Sequence, residues 1–266
     1  MLPFSVSIAT LSLAQAALVA LPRPAVSPAL ARLGGRWWAL VPPGSIALVV
    51  AAIALESDSA QVLTYLALFV VPPLAALALG SVIRGAHPAL AILVVPLFAL
   101  AWASQDSLAG EGAALALTGL ACVSLGWLLA CVVPSRWLKL GIYAMAAIDA
   151  WLVSAELLQG PNAVLNAAAP GGLPQLQYAS FGSAATGFGD LFLAATLGAL
   201  LAADRRLQLT GAALLAALAL SFDLLFFAVD SLPATVPVAV ALAVLDLTDR
   251  RGTPARAGRG AAPSGR

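Results

Sequence analysis

The run Ile142-Tyr143-Ala144-Met145-Ala146-Ala147-Ile148-Asp149-Ala150-Trp151-Leu152 is apolar but for one carboxylate, and it lies inside a longer apolar stretch, residues 138–158. About 20 such residues are what a helix needs to cross roughly 30 Å of hydrocarbon. Eight further runs of the same character accompany it, at 4–21, 37–55, 62–83, 89–104, 113–133, 181–202, 208–229 and 232–247. Of the 266 residues, 62% are hydrophobic and 9% charged, against about 45–50% and 25% in soluble domains, and the mean hydropathy is +0.99. A soluble globular domain is excluded. The expected fold class is all-α, a polytopic membrane protein with nine transmembrane helices. The expected organisation is a five-helix bundle at 1–137, a four-helix bundle at 138–247 with an external loop at 159–180, and a disordered basic tail at 248–266.

Basic residues orient the spans. Arg23, Arg32 and Arg36 follow the first run, Arg84 the third, and Arg136 and Lys139 flank the fifth-to-sixth connection; Arg205 and Arg206 follow the seventh, and Arg250, Arg251, Arg256, Arg259 and Arg266 lie in the tail. With nine spans all 13 fall on one side, and the opposite loops hold Glu56, Asp58, Asp106 and Glu111. The positive-inside rule then puts the N-terminus outside and the C-terminus in the cytoplasm, with the cell membrane as the expected location. One span more or fewer scrambles this segregation. The first run lacks a preceding basic stretch, so it is expected to be a retained helix and not a cleaved signal. Kinks are expected at Pro42-Pro43 and Pro72-Pro73, where helix carbonyls lose their donors.

Little in the chain suggests a metal or a cofactor. Cys122 and Cys131 match no zinc-ligand spacing, and His87 stands alone in a short loop beside Arg84. The net charge of +1 points to no polyanionic partner, and no nucleic acid is expected. Trp37, Trp38 and Trp137 fall at expected membrane interfaces, where indole rings anchor.

A carboxylate inside a span costs about 2.5–3.5 kcal/mol on insertion scales, so each one marks a candidate site. Asp149 lies in the middle of the sixth run, and Asp190 lies in the seventh within Thr186-Gly187-Phe188-Gly189-Asp190-Leu191-Phe192. Successive spans run antiparallel, and at about 1.5 Å per residue both acids are expected near the bilayer midplane, facing each other. Two carboxylates in one site share a proton, which suits one to deprotonate water while the other protonates a leaving group. A plain hydrogen bond between helices is the bland alternative. Gly187 and Gly189 lack side chains where a substrate backbone would come close, though glycines also serve ordinary helix packing in membranes.

These features, with Leu232-Pro233-Ala234-Thr235 opening the ninth run, resemble the presenilin and signal peptide peptidase type of intramembrane aspartyl protease, the GxGD proteases. Members of that family have nine spans, Tyr-Asp in the sixth, Gly-x-Gly-Asp in the seventh and Pro-Ala-Leu opening the ninth. The resemblance covers residues 138–247 by motif and the first five runs by count; Ile148 stands where the family has tyrosine, and Thr235 where it has leucine. It implies a presenilin-like arrangement, Asp149 and Asp190 as the catalytic pair, and Gly187, Gly189, Pro233, Ala234 and Thr235 as substrate contacts, with water and no cofactor or metal. It also implies a lateral gate after the sixth span.

The inferred orientation is similar to that of the signal peptide peptidase branch and opposite to that of presenilins. Signal peptides and type II membrane helices are then the expected partners. Such a helix must unwind before water can reach a peptide bond, and its freed backbone could pair with the irregular segment near Pro233. Two other functions fit the acids: a proton- or cation-coupled transporter built on Asp149, Asp190 and Asp223, or a noncatalytic relative that binds membrane helices. Spans one to five contain no central ionisable residue, which weighs against paired transporter halves.

Overall fold

The computed structural model describes residues 2–55, 58–105, 107–157, 159–168, 171–227 and 232–252; Glu56, Asp106 and the tail from 253 onward lie outside the described residues. In chain order come α1 (Phe4–Ala20), α2 (Pro28–Ala31), a 3-10 turn at Arg36–Leu40 that runs into α3 (Val41–Leu55), and α4 (Asp58–Leu77). They are followed by a π segment at Ala78–Val82, a 3-10 turn at Pro88–Leu93, α5 (Val94–Ala103), α6 (Leu108–Val132), α7 (Ser135–Ser154) and α8 (Gln159–Ala167). Strands β1 (Tyr178–Phe181) and β2 (Ala184–Gly187) precede α9 (Phe188–Leu201), α10 (Arg205–Asp223) with its 3-10 extension Leu224–Phe227, and α11 (Val236–Gly252).

Among the described residues, five helical segments are long and apolar enough to cross a membrane: Arg36–Ile53, Ser59–Val82, Leu108–Val132, Ser135–Ser154 and Arg205–Phe227. The segments Phe4–Ala20, Pro88–Ala103, Phe188–Leu201 and Val236–Thr248 are apolar but shorter. Each overlaps one of the runs read from the sequence, and the five long segments are fewer than the nine spans expected. Large apolar side chains such as Leu48, Val62, Phe69 and Val95 face outward on α3, α4 and α5, where lipid and not water is the compatible solvent.

The stretch 159–187 departs from expectation. It holds a nine-residue helix and an antiparallel hairpin, so the seventh apolar run starts as strand and becomes helix only at Phe188. Phe181 pairs with Ala184 across the two-residue loop Gly182-Ser183, and Gly182 has φ +64°, the left-handed value that such hairpin loops require. Pro42 and Pro43 occupy the first turn of α3, where a missing N–H costs nothing, and α4 passes through Pro72 and Pro73 before widening into the π segment, where the Ile83 N–H reaches back to the Ala78 carbonyl.

At the centre is α9, buried on every face from Leu191 to Ala199, as expected of a helix with no polar side. Around it pack α1, α6, α7, α10 and α11. Two glycines bring its neighbours close: a Cβ on Gly126 of α6 would stand 2.7 Å from the Thr196 nitrogen, and one on Gly198 would stand 2.5 Å from the Val19 carbonyl oxygen of α1. One core joins Leu18, Cys122 and Trp127 to Leu191 and Phe192; another joins Val19 to Ile142, Met145, Leu193, Leu215 and Leu242. Both draw on either side of residue 138, so the expected bundles at 1–137 and 138–247 share their interior.

The two ends of the bundle are tied differently. At one end Arg84 donates to Gln208 Oε1 (3.1 Å) and the Ala202 carbonyl (2.6 Å), while Arg205 donates to the Ala20 carbonyl (2.6 Å) and to Gln208 Oε1 (2.9 Å). Cations at helix C-termini satisfy orphan carbonyls and oppose the helix dipole. At the other end the Gly182 N–H donates to Glu111 Oε2 (2.6 Å), the Ser183 N–H to Ser7 Oγ (3.1 Å), and Trp102 Nε1 and Gln105 Nε2 to the Gly172 carbonyl (3.0 and 2.7 Å).

Candidate active site

The buried residues of α7 are Leu138, Gly141, Ile142, Met145, Ala146, Asp149 and Leu152. That is a helical stripe of period three to four, and Asp149 is its one acid. Its carboxylate, 6% exposed, accepts a hydrogen bond from the Thr235 hydroxyl at 2.6 Å. The bond is possible because the chain before α11 is not helical. Pro237 has no N–H to give the Pro233 carbonyl, so Leu232 to Thr235 turn into the helix and present Thr235 sideways. Farther along the same pair of helices, Lys139 and Asp246 form an ion pair, so α7 and α11 are joined at two levels.

Asp190 stands in the first turn of α9, and its Oδ2 accepts from the Gly187 N–H (3.0 Å) and the Thr186 hydroxyl (3.0 Å). A carboxylate there satisfies an orphan N–H and meets the positive end of the helix dipole. The hairpin ends where this turn begins, so β2 delivers Thr186 and Gly187 to the acid. Asp149 and Asp190 stand on α7 and α9, which pack against each other. Asp190, expected inside a long helical span, lies instead at the start of a 14-residue helix, beside a hairpin packed on α1 and α6.

The glycines divide the work. A Cβ on Gly189 would meet Met145 Cε at 2.9 Å, so its bareness lets α9 approach α7 one turn before Asp149. Gly187 is exposed, and a Cβ there would lie 3.2 Å from Asp190 Oδ2. Pro233 and Ala234 are half-buried beside Thr235, and the Pro233 carbonyl accepts the Val236 N–H at 3.1 Å. Asp223 is elsewhere, accepting from Ser12 Oγ at 2.8 Å between α10 and α1. Glu156 is exposed in the turn after α7, and Trp151 is 61% exposed on its outer face. Among the described residues, no three His, Cys, Asp or Glu side chains gather as metal ligands.

Two contributors escaped the sequence. Thr186, a neighbour of the glycines in the sequence, is a direct donor to Asp190. Gln15, 4% exposed in α1, donates to the main-chain oxygens of Asp190 (3.2 Å) and Ala234 (3.1 Å). The signal for Gln15 was present: an amide in an otherwise greasy helix needs partners inside the protein. Comparison with family models, curated proteins and solved structures found no match to this chain.

Proposed function

We propose that this chain is an intramembrane aspartyl protease of the GxGD kind, spanning the membrane nine times with its N-terminus outside and its C-terminus in the cytoplasm. The observation that carries the proposal is that Asp149 and Asp190 stand on helices α7 and α9, which pack together, and that each has one oxygen held by a threonine hydroxyl. One carboxylate takes a proton from water as the water oxygen attacks the scissile carbonyl. The other donates its proton to the developing oxyanion, giving a tetrahedral diol. Breakdown moves a proton to the leaving nitrogen, the C–N bond breaks, and the pair again holds one proton. No metal or cofactor takes part.

The surroundings favour this chemistry. The helix carrying Asp190 is only 14 residues, about 21 Å, and non-helical backbone continues its path beside the longer α6. Such backbone is tolerated at membrane depth where it is buried in protein or lines a wet cavity. In the two-stranded hairpin next to Asp190 each strand has one strand partner, and Ala185 and Gly187 of β2 are exposed, which suits an unwound substrate that can add as a strand. The topology draws support from Arg84 and Arg205, which follow different spans and meet at one end of the bundle, while the hairpin and Glu111 meet at the other. That orientation selects helices whose N-termini face the cytoplasm, namely signal peptides and type II segments in the cell membrane.

Proteoliposomes of the purified protein should cut a radiolabelled signal peptide within its apolar segment and release two fragments. A peptide left whole over long incubation would remove the proposal.

A further inference from the structure

Gln15 touches the supports of both carboxylates. Its amide has two donor hydrogens, and both find acceptors: the carbonyl of Asp190 itself, and the carbonyl of Ala234, whose neighbour Thr235 donates to Asp149. These acceptors lie 175 and 219 residues away along the chain. They belong to the first turn of α9 and to the turn leading into α11. A glutamine serving as general glue between membrane helices could bond any carbonyl within reach. This one bonds the backbone that carries Asp190 and the backbone next to Thr235, whose hydroxyl holds the Asp149 carboxylate.

We infer that Gln15 is a positioning residue that sets the separation of Asp149 and Asp190 by joining the first turn of α9 to the Pro233–Thr235 segment. Its consequence for rate rests on the proposed proteolysis; its consequence for geometry does not. Hydrolysis needs a water between the two carboxylates and the substrate carbonyl, and a displacement of about 1 Å at such a site can cost on the order of 100-fold in rate. The apolar neighbours of Gln15 on α1, Leu11, Ala16, Leu18 and Val19, are buried and keep the helix in place, so loss of the amide should release the spacing more than the fold.

The test uses full-length protein with Gln15→Met, which keeps length without donors, and Gln15→Asn, which keeps the amide one methylene short. Kinetics are measured on these two in the native background. In parallel, nitroxide labels on Ala185→Cys and Leu232→Cys, with Cys122 and Cys131 replaced by alanine, report the hairpin-to-α11 distance by pulsed electron resonance. Gln15→Met should broaden or lengthen that distance and lower kcat by about 10- to 100-fold, with KM changed by a smaller factor because the bonds lost are to backbone and not to substrate. Gln15→Asn should fall between it and the wild type, and it carries the comparison if Gln15→Met does not elute as a single folded species. Unchanged label distances would overturn the inference, and so would a moved distance with unchanged kcat. Should the wild type cleave nothing while Gln15→Met still moves the labels, the spacing role stands and the proteolytic proposal falls.

Discussion

Replacing Asp149 by asparagine, or separately Asp190 by asparagine, should lower kcat/KM for helix cleavage by at least about 1,000-fold, near the upper range of general acid–base contributions. The amide has the carboxylate's shape. Asp149→Asn still offers Thr235 an acceptor and Asp190→Asn still caps α9, so folded protein should be recovered in both cases. What is lost is a proton that can be held between two oxygens and passed in either direction. On the proposed mechanism the acids act as a unit, so the double variant should be no worse than the poorer single one by more than about tenfold. Parallel progress curves in proteoliposomes check this. Independent, multiplying losses would mean that the two acids do not work on the same step.

Placing leucine at Gly126 or Gly198 should destabilise the bundle by about 3 kcal/mol or more, at or beyond the upper end of ordinary overpacking costs. The reason is where the missing side chains would go. At Gly126 a Cβ meets the Thr196 nitrogen, the Ala195 carbon and the Thr196 Cα within 2.9 Å, and at Gly198 it meets the Val19 backbone within the same distance. Backbone cannot swing aside as a flexible side chain can, so α9 would have to move and Asp190 with it. Gly44, whose added Cβ would meet nothing within 4 Å, provides the contrast. Gly44→Ala should hold or raise stability, since alanine exceeds glycine in a helix by about 0.5–1 kcal/mol. Thermal unfolding in detergent, followed by aggregation onset, separates the two outcomes.

The apolar runs, the two acids and the turn at Pro233 were legible because each leaves a local mark: length without charge, charge without water, and proline at a helix start. The hairpin was not. Tyr178 to Gly187 is built of small, apolar and hydroxyl residues that continue the run into α9, and alternation is weak when seven of the ten residues are alanine, serine or glycine. Only the positive φ of Gly182 and the register from Tyr178–Gly187 to Phe181–Ala184 reveal it. Gln15 escaped for another reason. Its meaning lies in contacts across most of the chain's length, which no spacing rule reaches. The same holds for Gly189, whose neighbour is Met145 on another helix.

The paired use of Asp149 and Asp190 on a single atom is tested most directly by binding and not by turnover. A signal-peptide analogue in which the scissile carbonyl is replaced by a hydroxyl-bearing carbon imitates the tetrahedral diol and cannot be hydrolysed, so its Kd reads the pair without chemistry. Wild-type protein should bind it more tightly than the unmodified peptide by at least about 100-fold. Asp149→Asn and Asp190→Asn should each erase that preference while leaving the affinity for the unmodified peptide in place. A preference that survives either substitution would contradict a shared site for the two acids.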